Sequence, residues 1–356
     1  MLKKFGRWFF FSLPEKKESL NRLLTKKYGN ILFIRTDRLG DLVISSPIIR
    51  AFKLAHPNWT ITLLASPINR EAAFGMEYVD RVLVHNKNSF FRTTLKLLNF
   101  SFDLSIDLNA AQSFSSGFLS YFSGAKLRLG YRGRNYKHFN NLAVPLKDNP
   151  GSIHQLDLQK ELARYLGITI QDWNYDYRLP QGAILFAKNF FNAKFSSAET
   201  VVAIHPGNIK KKEHRWPINK FIAITDQLAL LPGIKFLLIY GPMEKALMKE
   251  LKNGVKSETQ KKIIVPPACT LAQTVALVSQ AKVFLDSGPT GTTHIITSIP
   301  TPQVIIYSKY SYQMWNTRKS KDRAVISKDW EDTGYVSVAE VYDRIVPLLG
   351  NFYKLL

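Results

Sequence analysis

Cysteine is almost missing from this chain. Cys269 is the single one in 356 residues, which excludes an internal disulfide framework and fits a reducing, cytoplasmic compartment. Long apolar runs are missing as well. The cluster Trp8 to Phe11 is cut short by Ser12 and Pro14, far below the roughly 20 apolar residues of a spanning helix. No secretory cleavage pattern follows it, so the expectation is a chain without a transmembrane anchor that keeps its N-terminus. Neither G-x-G-x-x-G after the first strand nor G-x-x-x-x-G-K-[ST] occurs, so dinucleotide oxidoreductases and P-loop NTPases lack their signatures. The seven histidines are scattered, with no H-E-x-x-H and no D-x-D pair to hold a divalent ion on a diphosphate. The expectation is therefore no metal and no cofactor, with phosphate charge met by Lys, Arg and helix dipoles.

Acidic residues are scarce relative to basic ones: 27 against 49, a formal net charge of +22. Such a surplus attracts anionic partners beyond a Debye length, but nucleic acid, anionic membrane and phosphorylated small molecules all satisfy it. With 46% hydrophobic and 21% charged residues, the composition is that of a folded globular protein rather than a disordered one. The length exceeds what one core usually serves, so two domains are expected.

Apolar strands alternate with helical stretches from Ile31 onward. Strands are predicted at Ile31 to Ile34, Ile61 to Leu64, Val82 to Val84, Leu104 to Asp107 and Leu127 to Gly130, with helices at Ile48 to Ala55 and Gln155 to Leu166, the latter stopped by Gly167. A second series runs through Val201 to Ile204, Phe236 to Ile239, Ile263 to Val265, Val283 to Leu285 and Val304 to Ile306. The last helix spans Val338 to Leu349, capped by Ser337 and stopped by Gly350. This α/β pattern predicts two Rossmann-like doubly wound domains. The bounds are 31–180 and 181–335, preceded by a basic aromatic segment 1–30 and followed by a C-terminal helix at 336–356.

Three segments are candidates for chemistry, each at or directly after the end of a strand. Arg35-Thr36-Asp37-Arg38-Leu39-Gly40-Asp41 leads from strand to helix. It sets Asp41 at the carboxyl edge of the sheet, where open α/β sheets bind ligands and where a carboxylate can act as general base. An Asp near a helix start also serves as cap or dipole partner, and local context leaves both roles open. His205-Pro206-Gly207, followed by Lys210-Lys211-Lys212-Glu213-His214-Arg215-Trp216-Pro217, offers close backbone approach at Gly207 and lysines for a diphosphate. A lysine triplet is equally at home as a solvated loop. Asp286-Ser287-Gly288-Pro289-Thr290-Gly291-Thr292-Thr293-His294 is a hydroxyl-rich turn into a helix, suited to phosphate through free backbone N–H groups, or simply a turn.

In order and spacing these segments resemble the heptosyltransferase family of glycosyltransferases. The resemblance runs from Arg35–Pro47 through Asp103–Asn109, Gly124-Ala125 and Leu129-Gly130-Tyr131 to His205-Pro206-Gly207, Arg215-Trp216-Pro217, Gly241-Pro242 and Asp286 to His294. It implies a GT-B fold, two Rossmann-like domains facing across a cleft, and an inverting, metal-independent transfer from a nucleotide-diphosphate sugar, first of all ADP-heptose. The acceptor would be an anionic lipid-linked glycan of the lipopolysaccharide core type at the inner face of the inner membrane. Asp41 would be the catalytic base, with Arg35, Arg38 and Asp107 on the acceptor side. His205, Gly207, Lys211, Lys212, His214, Asp286, Ser287, Gly288, Thr292, Thr293 and His294 would hold the donor. Two departures stand out. His214 occupies the place of the family's usual phosphate lysine, for which Lys211 or Lys212 could substitute, and the Asp286–His294 turn is longer than the family's Asp-Thr-Gly-Pro-Met-His. Both lie on the donor side, so another nucleotide sugar is the alternative.

Two other classes compete. A nucleic-acid binder fits the charge but lacks a recognisable module, so no nucleic-acid partner is expected. A catalytically inactive nucleotide- or glycan-binding homologue is separated from an enzyme by turnover. Residues 1–30 carry eight basic residues against Glu15 and Glu18 beside the Trp8–Phe11 cluster, a pattern that predicts peripheral contact with anionic lipid.

Overall fold

The computed structural model describes residues 13–110, 113–132, 139–207 and 214–350. The chain divides into two compact units, the first ending at Arg178 and the second starting at Leu179.

In the first unit the strands are β1 (Gly29–Ile34), β2 (Trp59–Ala65), β3 (Arg81–Val84), β4 (Leu104–Asp107), β5 (Leu127–Tyr131) and β6 (Leu142–Val144). They form one six-stranded sheet in the order β3-β2-β1-β4-β5-β6, and every pairing is parallel. The second unit holds β7 (Thr200–His205), β8 (Ile234–Leu238), β9 (Ile263–Ile264), β10 (Val283–Ser287), β11 (Gln303–Tyr307) and β12 (Arg323–Ile326). Its order, β12-β11-β10-β7-β8-β9, is the same topology met again: β7 takes the place of β1 and β10 that of β4. Both are the doubly wound order, and in each the strand sequence reverses direction once, between β1 and β4 and between β7 and β10. That reversal opens a crevice at the strand carboxyl ends. The central strands read as continuous apolar runs because parallel sheets are covered on both faces. Ile31, Leu32, Phe33 and Ile34 are all fully buried.

Two edge strands, β6 and β12, were not foreseen. They are short, and β12 has exposed residues at both ends, so periodicity has little to register there. Residues 13–30, set apart by the sequence reading, pack on the first unit. Helix Lys17–Leu24 buries Leu20 completely, Trp59 Nε1 donates to the Lys26 carbonyl at 3.1 Å, and the sheet begins at Gly29. The Trp8–Phe11 cluster lies outside the described residues. The C-terminal helix Val338–Leu349 likewise belongs to the second unit. Val341, Ile345 and Leu349 join Val202, Phe236, Leu285 and Ile306 in one core, and a Ser337–Glu340 capping box opens the helix. No helix among the described residues is long and apolar enough to cross a membrane.

Candidate active site

In the first unit β1 delivers Arg35 to the switch point. The Arg35 backbone N–H donates to Leu64 O at 3.0 Å and its carbonyl accepts from Asn69 Nδ2 at 3.0 Å, so the turn after the strand is fixed on both sides. The chain then enters helix Leu39–Ile44 with Asp41 in its first turn, where the dipole favours a carboxylate. The Arg35 guanidinium ties the segment together. Its Nε lies 3.1 Å from Asp37 Oδ1, its Nη2 3.5 Å from Asp41 Oδ1, and its Nη1 donates to Leu108 O. Burial disfavours the Arg35 charge, yet the carboxylates around it win and its pKa is raised. Burial pushes the Asp37 carboxyl up, against the attraction of Arg35 and with the repulsion of Asp41.

Asp107 ends β4 opposite Ile34 in the register and is 2% exposed. One oxygen accepts from Asn109 N at 3.0 Å and the other from Ser116 Oγ at 2.8 Å. Burial raises its pKa to about 7 although those hydrogen bonds and Arg35 pull it down. Of the four residues expected here, Arg35 and Asp107 are therefore sealed in and already bonded, and Arg38 is exposed. Asp41 keeps 20% of its side chain open, which leaves a bondable carboxylate at the crevice. The sequence reading missed Asp37 and Ser116, whose roles depend on contacts with Arg35 and Asp107 formed only in three dimensions.

The second unit builds its switch point around a histidine. His205 ends β7, pairs with Asp286 in the register and is 2% exposed. Its Nδ1 lies 2.8 Å from Asp286 Oδ1 and its Nε2 2.9 Å from Glu244 Oε2. Burial opposes the charged ring, but the two carboxylates outweigh it and raise the pKa to about 10. His205 in turn draws the Glu244 pKa down despite that residue's own burial. Asp286 spends its other oxygen on Thr293 Oγ1 and on Thr290 Oγ1, the latter at 3.3 Å. Thr290 and Thr293 close a capping box on helix Gly291–Ile296.

Ser287 Oγ accepts from Trp216 N at 2.7 Å, which pins the start of the Trp216-Pro217 segment to the strand end. Gly207 sits at φ +88°, and a Cβ there would stand 2.7 Å from the Ser287 carbonyl, so only glycine fits without strain. A Cβ at Gly288 would meet Thr293 Oγ1 at 2.8 Å. His214 Nδ1 lies 3.1 Å from the Glu331 carbonyl. Gly207, His214, Asp286, Ser287, Gly288, Thr293 and His294 are all buried, while Thr292 stays half-open. Lys211 and Lys212 lie outside the described residues. Glu244 is the member the sequence reading missed. It stands two residues after the noted Gly241-Pro242 pair, and the signal was the need of a strand-end histidine for a second partner.

The doubly wound pair with its paired switch points is the architecture of GT-B glycosyltransferases. The model of glycosyltransferase family 9 (heptosyltransferase) matches residues 90–341, and the chain belongs to this family. It is a glycosyltransferase. The matched span starts beyond Asp41. No curated protein matches the chain. Among solved structures, a glycosyltransferase family 9 protein from Veillonella parvula shares the fold at TM-score 0.78 and 16% identity, over 90% of this chain and 97% of that one. E. coli ADP-heptose LPS heptosyltransferase II does so at TM-score 0.74 and 19% identity, over 90% and 98%. E. coli heptosyltransferase WaaC with ADP follows at 0.65 and 17%, over 89% and 96%.

Proposed function

We propose that this chain transfers heptose from ADP-heptose to an anionic, lipid-linked glycan of the lipopolysaccharide core at the inner face of the membrane, with inversion and without a metal ion. The observation that carries the reading is Asp41, a partly open carboxylate in the first helical turn at the switch point, oriented by Arg35. The acceptor hydroxyl attacks the anomeric carbon, Asp41 Oδ takes its proton, and ADP leaves from the opposite face, so the new bond has inverted configuration. Charge developing on the leaving diphosphate is met by Lys211, Lys212 and the Thr290–Thr292 turn, which is electrostatic stabilisation. His205 and Asp286 act behind that turn, as its support. The ADP-heptose donor follows the E. coli relative that is an ADP-heptose LPS heptosyltransferase and the one that holds ADP. Residues 1–30 add peripheral membrane contact.

The direct test is turnover of ADP-heptose on a core oligosaccharide, with the anomeric configuration of the product read by NMR. Retention sinks the single-displacement mechanism. A thermal-shift panel of ADP, UDP, GDP and CMP tests the donor independently. A ligand at 100 times its Kd adds about 2.7 kcal/mol, so ADP should raise the midpoint by several degrees. A shift with UDP or GDP in its place assigns a different nucleotide sugar.

A further inference from the structure

The first unit carries an apolar stripe on the outside of a helix that is otherwise well anchored. Helix Phe90–Leu98 buries Thr93 and Leu97, and its Phe90 ring packs 4.7 Å from Phe118. On another side of the same helix Phe91 is 85% exposed, Leu95 65% and Leu98 55%. The spacing i, i+4, i+7 makes one continuous stripe. Surface helices usually place polar side chains there, because each large apolar residue left in water forfeits its burial energy.

Charge says what covers it. Arg92 and Lys96 are exposed beside the stripe, and as like charges at i, i+4 they weaken the helix rather than support it. From 81 to 102 the chain has Arg81, Lys87, Arg92 and Lys96 and no acidic residue at all. The acids at either end are already matched: Asp80 pairs with Lys53 at 2.8 Å and Asp103 with Lys26 at 3.1 Å. The face is therefore apolar and positive, with no acidic residue in its own stretch of chain.

We propose that helix Phe90–Leu98 is a membrane-docking surface, lying in the headgroup–acyl boundary of an anionic phospholipid bilayer. Phe91, Leu95 and Leu98 enter the acyl edge, while Lys87, Arg92 and Lys96 meet lipid phosphates. This is the composition of an interfacial helix, basic on the polar flank with Phe and Leu on the other. A second copy of this chain fits worse, since a two-fold interface would set this positive face against itself. Three side chains also make too small a patch for a stable protein interface, which buries about 1,200 Å² or more. The surface is separate from residues 1–30 and from the transfer reaction, and its test needs no turnover.

The test is co-sedimentation of the full chain with phosphatidylcholine vesicles, with and without phosphatidylglycerol. The full chain should bind the anionic vesicles, less at high salt, and ignore pure phosphatidylcholine. Phe91→Ser with Leu95→Ser should weaken binding about tenfold or more, and Arg92→Gln with Lys96→Gln should make its salt dependence shallower, the rest coming from residues 1–30. Leu230→Ser, at a site 81% exposed in the other unit, should change nothing. Because Phe91 and Leu95 lie outside the core, unchanged thermal midpoints are expected and separate lost docking from lost folding. The proposal is overturned if the full chain binds no anionic vesicle, or if the Phe91/Leu95 variant binds like the parent. It is equally overturned if the parent is a dimer that this variant dissolves.

Discussion

The two units solve the same topological problem with the same device, a buried cationic side chain between two carboxylates, built from different residues. In the first, one buried arginine is divided among Asp37 and Asp41 while Asp107 sits beyond it, 2% exposed, with burial raising its pKa to about 7. Asp37 and Asp41 both keep part of their side chains open, 26% and 20%. In the second, one histidine is enclosed by Asp286 and Glu244, and the hydroxyls of Thr290 and Thr293 complete the shell. His205 and Asp286 are closed off at 2% and 0%, while Glu244 keeps 19% of its side chain open. On the proposed function the first switch point serves as the reactive edge and the second, whose Asp286 is bonded through both oxygens, as a rigid frame.

The largest effect should come from breaking the sealed centre. Asp286→Ala leaves a buried charged histidine with one partner fewer, and loss of one member of a buried pair costs about 3 to 5 kcal/mol. Urea unfolding should show that loss, and a cost no larger than that of Leu230→Ala would mean the centre is not a frame. On the reactive side, Asp41→Asn should lower turnover by roughly 100-fold or more while ADP binding and the thermal midpoint hold. Near-normal turnover removes Asp41 from the chemistry and with it the contrast between the units.

The pH dependence separates the two centres. His205 is raised from 6.5 to about 10, so its stabilisation is complete below 6.5 and fades as pH climbs towards 10. Asp107 is raised from 3.8 to about 7. The native state thus prefers its proton, and stability falls as pH rises from 3.8 to about 7. Asp107→Asn should flatten the stability profile in that lower window and leave the alkaline limb untouched. His205→Gln should lose the alkaline limb alone, and a variant that alters both windows would show the units to be coupled. The smallest effect expected is Gly207→Ala. Its positive φ and the nearby Ser287 carbonyl should cost about 1 kcal/mol or slightly more, read as a drop in the melting midpoint of a few degrees.

Much of this was legible in the chain itself. The central strands are apolar runs that parallel sheets require, and Ile31 to Ile34 announces β1 without ambiguity. Ser337 with Glu340 spells out a helix start, and Gly167, at φ +71°, a helix stop. Asp41 could be placed at a sheet edge because strand, turn and helix follow one another within a few residues. Local signals end there. β6 and β12 are edge strands too short for periodicity, and helix Lys17–Leu24 holds only Leu20 in the core.

The amino-acid order by itself therefore determined the two-unit α/β architecture, the strand ends that carry the candidate site, and the excess of positive charge. Tertiary structure decided which charges survive there. Asp37 reaches Asp41 through Arg35, and Glu244 reaches Asp286 through His205, across 39 and 81 residues of sequence separation from that histidine. Asp286 and Glu244 meet His205 only when distant stretches come together, and even for Asp37 and Asp41, which share a segment with Arg35, the degree of burial is set by the packing around them and not by the local order of residues.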